Sequence, residues 1–279
     1  MKRLFFIPMI VMAFVFSSCS EDSDETNISD ALLEQLDMDS EAALEANYED
    51  VEMVAEAGMS SLEINGRVER DTLLSCAIVD HDEENQTVTI DYGDGCTVRG
   101  GRVLSGKMII TYNMRRLEPG ATRSVTLENF SVDEVQVEGT RTWTNISESL
   151  DDNPKLATEL IGGKLTFTDG TIATRDASHT KEWYRASNPL NDESFLDGSA
   201  EGSNREDVRY QVEILETLVY KRACRENKVF IPVSGIKQIT KGEDVAIINY
   251  GDGDCDNEVT ITLNEKTFTK TIEPRGKRR

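Results

Sequence analysis

Residues 87–96 read Thr-Val-Thr-Ile-Asp-Tyr-Gly-Asp-Gly-Cys, and residues 245–255 repeat the pattern as Val-Ala-Ile-Ile-Asn-Tyr-Gly-Asp-Gly-Asp-Cys. In each copy, apolar residues alternate onto one face of a predicted strand, which is typical of a sheet with one buried face. The Gly-Asp-Gly segment favours a sharp turn, because glycine adopts positive φ without steric cost. The sequence therefore predicts a repeated unit of strand and turn.

The same alternation continues through most of the chain after residue 66, with frequent polar turns between the apolar runs. Met108 and Ile110 begin one run, and a later run over 259–263 pairs naturally with residues 268–272 through Asn264-Glu265. Gly139 interrupts another run and indicates a bulge. These patterns predict a mainly β protein, arranged as an antiparallel meander or a sandwich.

Residues 40–66 contain the predicted N-terminal helix, with Ser40 as its N-cap. Its apolar residues recur at helical spacing and form one stripe, made of Leu44, Tyr48, Val51, Ala55, Met59 and Leu62. We expect this amphipathic helix to pack on the sheet, and a helix that binds a partner is the alternative. Two β regions follow, 67–187 and 205–279, each with one copy of the unit. Residues 188–204 between them are polar and small, which predicts a mobile loop.

The chain begins with Met1-Lys2-Arg3, about a dozen apolar residues, and then Phe16-Ser17-Ser18-Cys19. This order is typical of a bacterial lipoprotein signal, and the apolar stretch is shorter than the about 20 residues of a bilayer span. The sequence predicts that residues 1–18 are removed and that Cys19 carries the lipid that anchors the chain in a membrane. A signal cut elsewhere, or an uncleaved anchor, is the alternative.

Residues 19–39 form a predicted acidic tether, and four of the six residues after Cys19 are acidic. Such a run cannot bury enough apolar surface to fold. It resembles the acidic run that serves lipoproteins of Bacteroidetes-type bacteria as a signal for export to the cell surface. The resemblance implies an outer-membrane protein exposed at the cell surface, and an anchor facing the periplasm is the alternative.

Four further cysteines accompany the repeated unit, at Cys76, Cys96, Cys224 and Cys255. In an exported chain they indicate two disulfides, with a zinc site as the alternative, although the chain has no C-x-x-C spacing and only two histidines. The repeat selects the pairs Cys76–Cys96 and Cys224–Cys255. Each disulfide would contribute on the order of 3 kcal/mol.

The charge of the chain restricts its partners. Once residues 1–18 are removed, 28 basic residues face 52 acidic ones, which gives a net charge of −24. Such a field repels polyanions and argues against nucleic acid and anionic membrane surfaces. The basic residues of segment 275–279 are expected to be a solvated terminus.

Asp252, Asp254 and Asp256 alternate in the second unit. Oxygen ligands at alternate turn positions suit Ca²⁺, so these residues are a candidate calcium site, with solvated turn residues as the alternative. No other cofactor is predicted. The chain contains no nucleophile elbow, H-E-x-x-H, P-loop or Rossmann motif, so no catalytic residue is predicted. Trp143 and Trp183 could stack on sugar rings if they are exposed, and belong to the core otherwise.

Two more segments, Val-Glu-Gly-Thr-Arg-Thr at 137–142 and Leu-Thr-Phe-Thr-Asp-Gly at 165–170, accompany the repeated unit. Together these segments make residues 70–265 resemble a group of uncharacterised exported lipoproteins of Bacteroidetes-type bacteria. The resemblance implies the location and a β-rich fold, and it assigns no activity to any residue.

The sequence favours a lipid-anchored surface lipoprotein that acts as a non-enzymatic binding or structural module for a glycan or protein ligand. A secreted-type hydrolase acting on glycans and a calcium-binding adhesion module are the alternatives. A concave cleft with convergent carboxylates or histidines would favour the hydrolase.

Overall fold

A computed structural model describes residues 38–63, 72–98 and 101–272. The signal, Cys19 and most of the tether lie outside these ranges. Helix α1 spans Met38–Glu63, so it begins two residues before Ser40 and the predicted N-cap is wrong. The strands are β1 (Ile78–Asp82), β2 (Thr87–Asp91), β3 (Cys96–Thr97), β4 (Val103–Tyr112), β5 (Thr122–Val132), β6 (Val135–Asn145), β7 (Lys155–Thr166), β8 (Ile172–Tyr184), β9 (Glu193–Ser203), β10 (Arg209–Lys221), β11 (Ser234–Lys241), β12 (Asp244–Asp252), β13 (Glu258–Leu263) and β14 (Lys266–Thr271).

The strands form one open, fourteen-stranded antiparallel sheet. Thirteen of them follow one another across the sheet in chain order, and the short β3 pairs with β4 beside that path. The mainly β fold with one N-terminal helix is confirmed, and of the two predicted arrangements it is the meander. Connections of at most twelve residues join each strand to the next along this path, so the pairings are local in sequence.

One face of the sheet is apolar and is called the inner face here. Buried side chains alternate with solvated ones along each strand, as in Val88 and Ile90 on β2 or Val259, Ile261 and Leu263 on β13. Inner residues from β2 to β13 join α1 in one contiguous core. The sheet thus has a core-facing side and a solvated outer face.

Helix α1 packs against the inner face, as the apolar stripe predicts. Leu44, Tyr48, Val51, Ala55 and Met59 are all buried there. The side chain of Leu62 lies outside the described residues. The Tyr48 hydroxyl donates to the Glu138 carbonyl of β6 at 2.5 Å. Gly58 allows the helix to approach the sheet closely, because a Cβ at this position would overlap the Ile90 side chain.

Bulges bend the central strands where the apolar pattern slips. The ladder between β6 and β7 shifts register at Gly139, whose φ is +119°, so the predicted bulge is present. β5 slips between Val125 and Ser131, around Asn129 at φ +50°. Asn264 and Glu265 both have positive φ and connect β13 to β14, as the sequence predicts.

The predicted loop at 188–204 is wrong over most of its length. Glu193–Ser203 forms β9, an interior strand between β8 and β10, and only a short 3₁₀-helix at Pro189–Asn191 precedes it. The small residues are needed for close packing. A Cβ at Gly202 would overlap the carbonyl oxygen of Thr174 on β8, and Ala200 is buried on the inner face.

Replacing Gly202 with valine should therefore destabilise the protein, because the new side chain would push β9 away from β8. We expect a loss of about 1–3 kcal/mol in the free energy of unfolding, measured by urea denaturation. Ser199→Val, on the exposed outer face of the same strand, is the control and should change stability little. Equal effects of the two substitutions would contradict an interior β9.

The two ends of the sheet differ. The loop end carries the connections 113–121, 146–154, 185–192, 222–233 and 253–257, whereas the turns at the other end are two to five residues long from β5 onward. β2 and β12 are the second and eleventh strands along the path, so they run in opposite directions. The two copies of the repeated unit therefore lie at opposite ends, with the second at the loop end.

No helix in the described ranges has the length and apolar character to cross a membrane.

Candidate functional site

The outer face carries an open groove of about 560 Å³ across four adjacent strands, β7 to β10. Leu160, Ala177, Ala200 and Val212 stand in one register row along the floor of the groove, and their side chains are buried toward the inner face. The residues on either side of this row point outward and line the groove. They are Glu159, Ile161, Asp176, Ser178, Ser199, Glu201, Gln211 and Glu213.

Two polar rows form the walls of this outer groove. In one row, Glu159 and Glu213 lie on β7 and β10, with two serines between them on β8 and β9. In the other row, Asp176 and Glu201 stand directly opposite each other on β8 and β9. Like charges at directly opposed positions destabilise a sheet. A ligand that donates hydrogen bonds or carries positive charge would relieve this repulsion.

The groove also contains one exposed apolar side chain and one carboxylate that is held by a hydrogen bond. Ile161, beside the bulge of β7, is 65% exposed and contributes apolar surface. Asp176 Oδ1 accepts the Gly162 N–H at 2.6 Å, which fixes this carboxylate against the bulge. The arrangement can therefore hold a polar ligand by acceptors along its walls and contact it with one aliphatic side chain.

The inner face is covered by α1, which adds ion pairs to its apolar contacts. Glu52 accepts from Arg141 on β6 at 3.3 Å, and Glu56 accepts from Arg123 on β5 at 2.8 Å. Asp50 pairs with Arg102 just before β4. The helix is therefore held by charge on several strands, and the outer groove is the open surface.

The two tryptophans have different environments. Trp143 is only 2% exposed, and the guanidinium carbon of Arg123 lies 4.3 Å from its ring centroid. It is thus part of the core and cannot stack on a sugar. Trp183 is 38% exposed at the loop end of β8, outside the groove lining. His81, near the β1 edge, contacts the Tyr112 hydroxyl at 2.6 Å and is also remote from the groove lining.

Burial raises the pKa of the Glu52 carboxyl, but the nearby positive charges of Lys181, Arg141 and Arg123 outweigh it and the pKa is lowered. A carboxyl with a lowered folded-state pKa stabilises the fold above its unfolded pKa of about 4.5, and this contribution is lost as the pH falls through the folded value. Docking of α1 is therefore acid-sensitive at this position.

Glu52→Gln should lower the free energy of unfolding at pH 7 by about 1 kcal/mol, because Arg141 loses its charged partner. The effect is no larger because the wild-type Glu52 side chain is partly solvated. As the pH falls from about 4.5 through the lower folded-state pKa, the difference from wild type should shrink, because the carboxyl of the unfolded chain is protonated first and that of the folded chain afterwards. Urea unfolding across this pH range measures both effects. Glu243→Gln, at an exposed turn, is the control, and a pH-independent difference for Glu52→Gln would contradict the proposed docking contact.

The structure places the cysteines in two pairs at bonding distance, Cys76 with Cys96 and Cys224 with Cys255. Their Cα atoms are 6.1 and 4.9 Å apart. These are the pairs that the repeat selects. The first pair fastens the start of the sheet beside β3, and the second joins the β10–β11 and β12–β13 connections at the loop end.

The three aspartates of the candidate calcium site are exposed at the loop end. Asp256 Oδ1 accepts the Glu258 N–H at 3.1 Å, which is ordinary turn geometry. In the described ranges, the structure gathers no three or more His, Cys, Asp or Glu residues into a group that could hold a metal ion. Asp252, Asp254 and Asp256 are accordingly not brought together as a ligand set.

Sequence reasoning missed the groove residues. Ser199 and Glu201 lie in the segment that predicts a loop. The acidic residues of the groove could not be distinguished from the rest, because the chain has 52 acidic residues. The usable signal was alternation: Ser178, Ser199 and Gln211 each flank a small or apolar residue on a strand. Only the register between strands shows that these positions form one surface.

No protein-family model matches the chain, and neither a curated protein nor a solved structure shows detectable similarity to it.

Proposed function

We propose that this chain is a lipoprotein anchored at the outer membrane through Cys19 and exposed at the cell surface, where it acts as a non-enzymatic binding module. Its ligand, a glycan or a protein segment, lies in the outer groove of β7–β10. The proposed location is supported by the sequence that ends in Phe16-Ser17-Ser18-Cys19 and by the acidic run that follows it. The net charge of −24 after signal removal favours a soluble domain held off the membrane by its tether.

The observation that carries the binding role is the groove itself. It is open, and it is built on four strands of a sheet whose other face shares one core with α1. A rigid sheet positions its side chains without a cost in ordering on binding. The opposed Asp176 and Glu201 keep a local repulsion that a ligand rich in donors would relieve. Sugar hydroxyls and the basic side chains of a protein segment both supply such donors.

The anchor is tested by Cys19→Ala, which should abolish incorporation of radiolabelled lipid, because the thiol that would be acylated is removed. Intact mass should show wild type without residues 1–18. Treatment of whole cells with protease should digest the wild-type protein if it is displayed at the surface. Normal lipid labelling of the variant, or full protection of the chain on intact cells, would contradict the respective part of the proposal.

The binding site is tested by filling the groove. Ser199→Trp places a large side chain between its walls and should weaken binding to a hit from a glycan or peptide library at least tenfold. Thr260→Trp, at an exposed position of β13, is the matched control and should bind like wild type. Binding should leave the ligand unchanged. Equal binding by both variants would exclude this groove, and turnover of a library member that one acid substitution abolishes would favour the hydrolase.

A further inference from the structure

The second disulfide ties two neighbouring segments at the loop end, the connection 222–233 and residues 252–257, which are the last residue of β12 and the connection after it. These two segments are called the loop pair here. Cys224, Val229 and Val233 form a small apolar cluster beneath it, separate from the main core. The loop pair thus has a small interior of its own, which joins the main core through the half-buried Ile231, and none of its residues lines the groove.

The loop pair is rigidly built. The Val229 N–H donates to the Cys224 carbonyl at 3.1 Å, and the Gly253 N–H donates to the Val233 carbonyl at 2.8 Å. Lys221 Nζ, at the end of β10, also donates to the Gly253 carbonyl at 2.8 Å and adds a further link beside the disulfide. A segment fixed in this way loses little conformational entropy when it docks.

This rigid unit holds an aromatic side chain in solvent. Phe230 is 59% exposed, between the buried Val229 and the half-buried Ile231. The 3₁₀-helices at Arg222–Asn227 and Pro189–Asn191 pack together, and the second presents the exposed Leu190. Pre-organised aromatic residues at the centre of a patch are the usual anchors of protein interfaces.

Charges of opposite sign lie side by side on the loop pair. Arg225 and Lys228 are exposed on the first connection, and Asp252 and Asp254 on the second. Among the described residues none of these four forms an ion pair, although the disulfide holds the two connections together. The positive and the negative side chains are therefore both available to a partner that carries the opposite charges.

A second copy of this chain presents that pattern. In a twofold-symmetric interface the same patch faces itself, so the basic connection of one copy meets the acidic connection of the other, twice. Elsewhere, two chains of net charge −24 repel each other. On the loop pair, three basic residues at 222–228 and one acidic residue face the three aspartates, so local repulsion is small.

We propose that two copies of this chain dock through the loop pair, with Phe230 and Leu190 at the apolar centre and reciprocal contacts between Arg225 and Lys228 of one copy and Asp252 and Asp254 of the other. The dimer leaves both outer grooves open, because they lie on β7–β10 below the loop end. If another protein or a membrane bound the loop pair instead, the chain would fail to self-associate.

The first experiment is sedimentation equilibrium of the full mature chain carrying Cys19→Ser, so that no lipid tail contributes to association. We expect a monomer–dimer equilibrium that shifts toward monomer as salt rises and screens the charge contacts. Phe230→Ser should raise the dimer dissociation constant about tenfold or more without changing the urea midpoint. Ile78→Ser, a more exposed residue on β1, is the matched control and should leave the constant unchanged.

The second experiment is a charge swap. A variant with Arg225→Glu and Lys228→Glu should be monomeric, and so should one with Asp252→Lys and Asp254→Lys. An equimolar mixture should restore a mixed dimer, because each acidic surface then meets a basic one; this recovery also shows that both variants fold. A monomeric wild type at every concentration, an unaffected Phe230→Ser dimer, or a mixture that stays monomeric would overturn the proposal.

Discussion

The contact between α1 and the inner face is the interaction on which the rest of the structure depends. A single antiparallel sheet has an apolar face that the sheet cannot cover by itself, and a two-layer arrangement is the simplest solution. Here one helix, through Leu44, Val51, Val54 and Ala55, joins inner residues of the strands in one core. Because the cover lies on one side only, the outer face is free to carry a groove.

The orientation of the helix on the sheet is set by close contacts at two glycines and by ion pairs. A Cβ at Gly58 would overlap Ile90, and one at Gly163 would crowd the Tyr48 hydroxyl, so the helix and sheet meet at two close points. The ion pairs of Glu52 and Glu56 with arginines on β6 and β5 add direction to this contact. Apolar burial supplies most of the free energy of this contact, and the charged pairs add directional contacts between the helix and two strands.

The sequence allows the periodic parts of this fold to be predicted and leaves out what depends on neighbouring strands. The helix stripe, the alternation of β4 and β13, and the bulge at Gly139 are local patterns, and each is present. The sequence did not predict β9, because Glu193–Ser203 has small residues where a strand usually has branched ones. Gly202 is required by the closeness of β8, which is a property of the assembled sheet. The groove was missed for the same reason, since its walls are defined by register across four strands.

The two copies of the repeated unit show how one local pattern acquires different roles. In the first copy, Tyr92 is buried, its ring meets Phe130 edge-on, and its hydroxyl donates to the Leu73 carbonyl, so this turn closes the main core. In the second copy the strand runs the opposite way, and the turn emerges at the loop end. There the disulfide packs with Val229 and Val233 into a cluster of its own. A shared turn and cysteine thus fix the local geometry, while strand direction decides at which end of the sheet each copy lies.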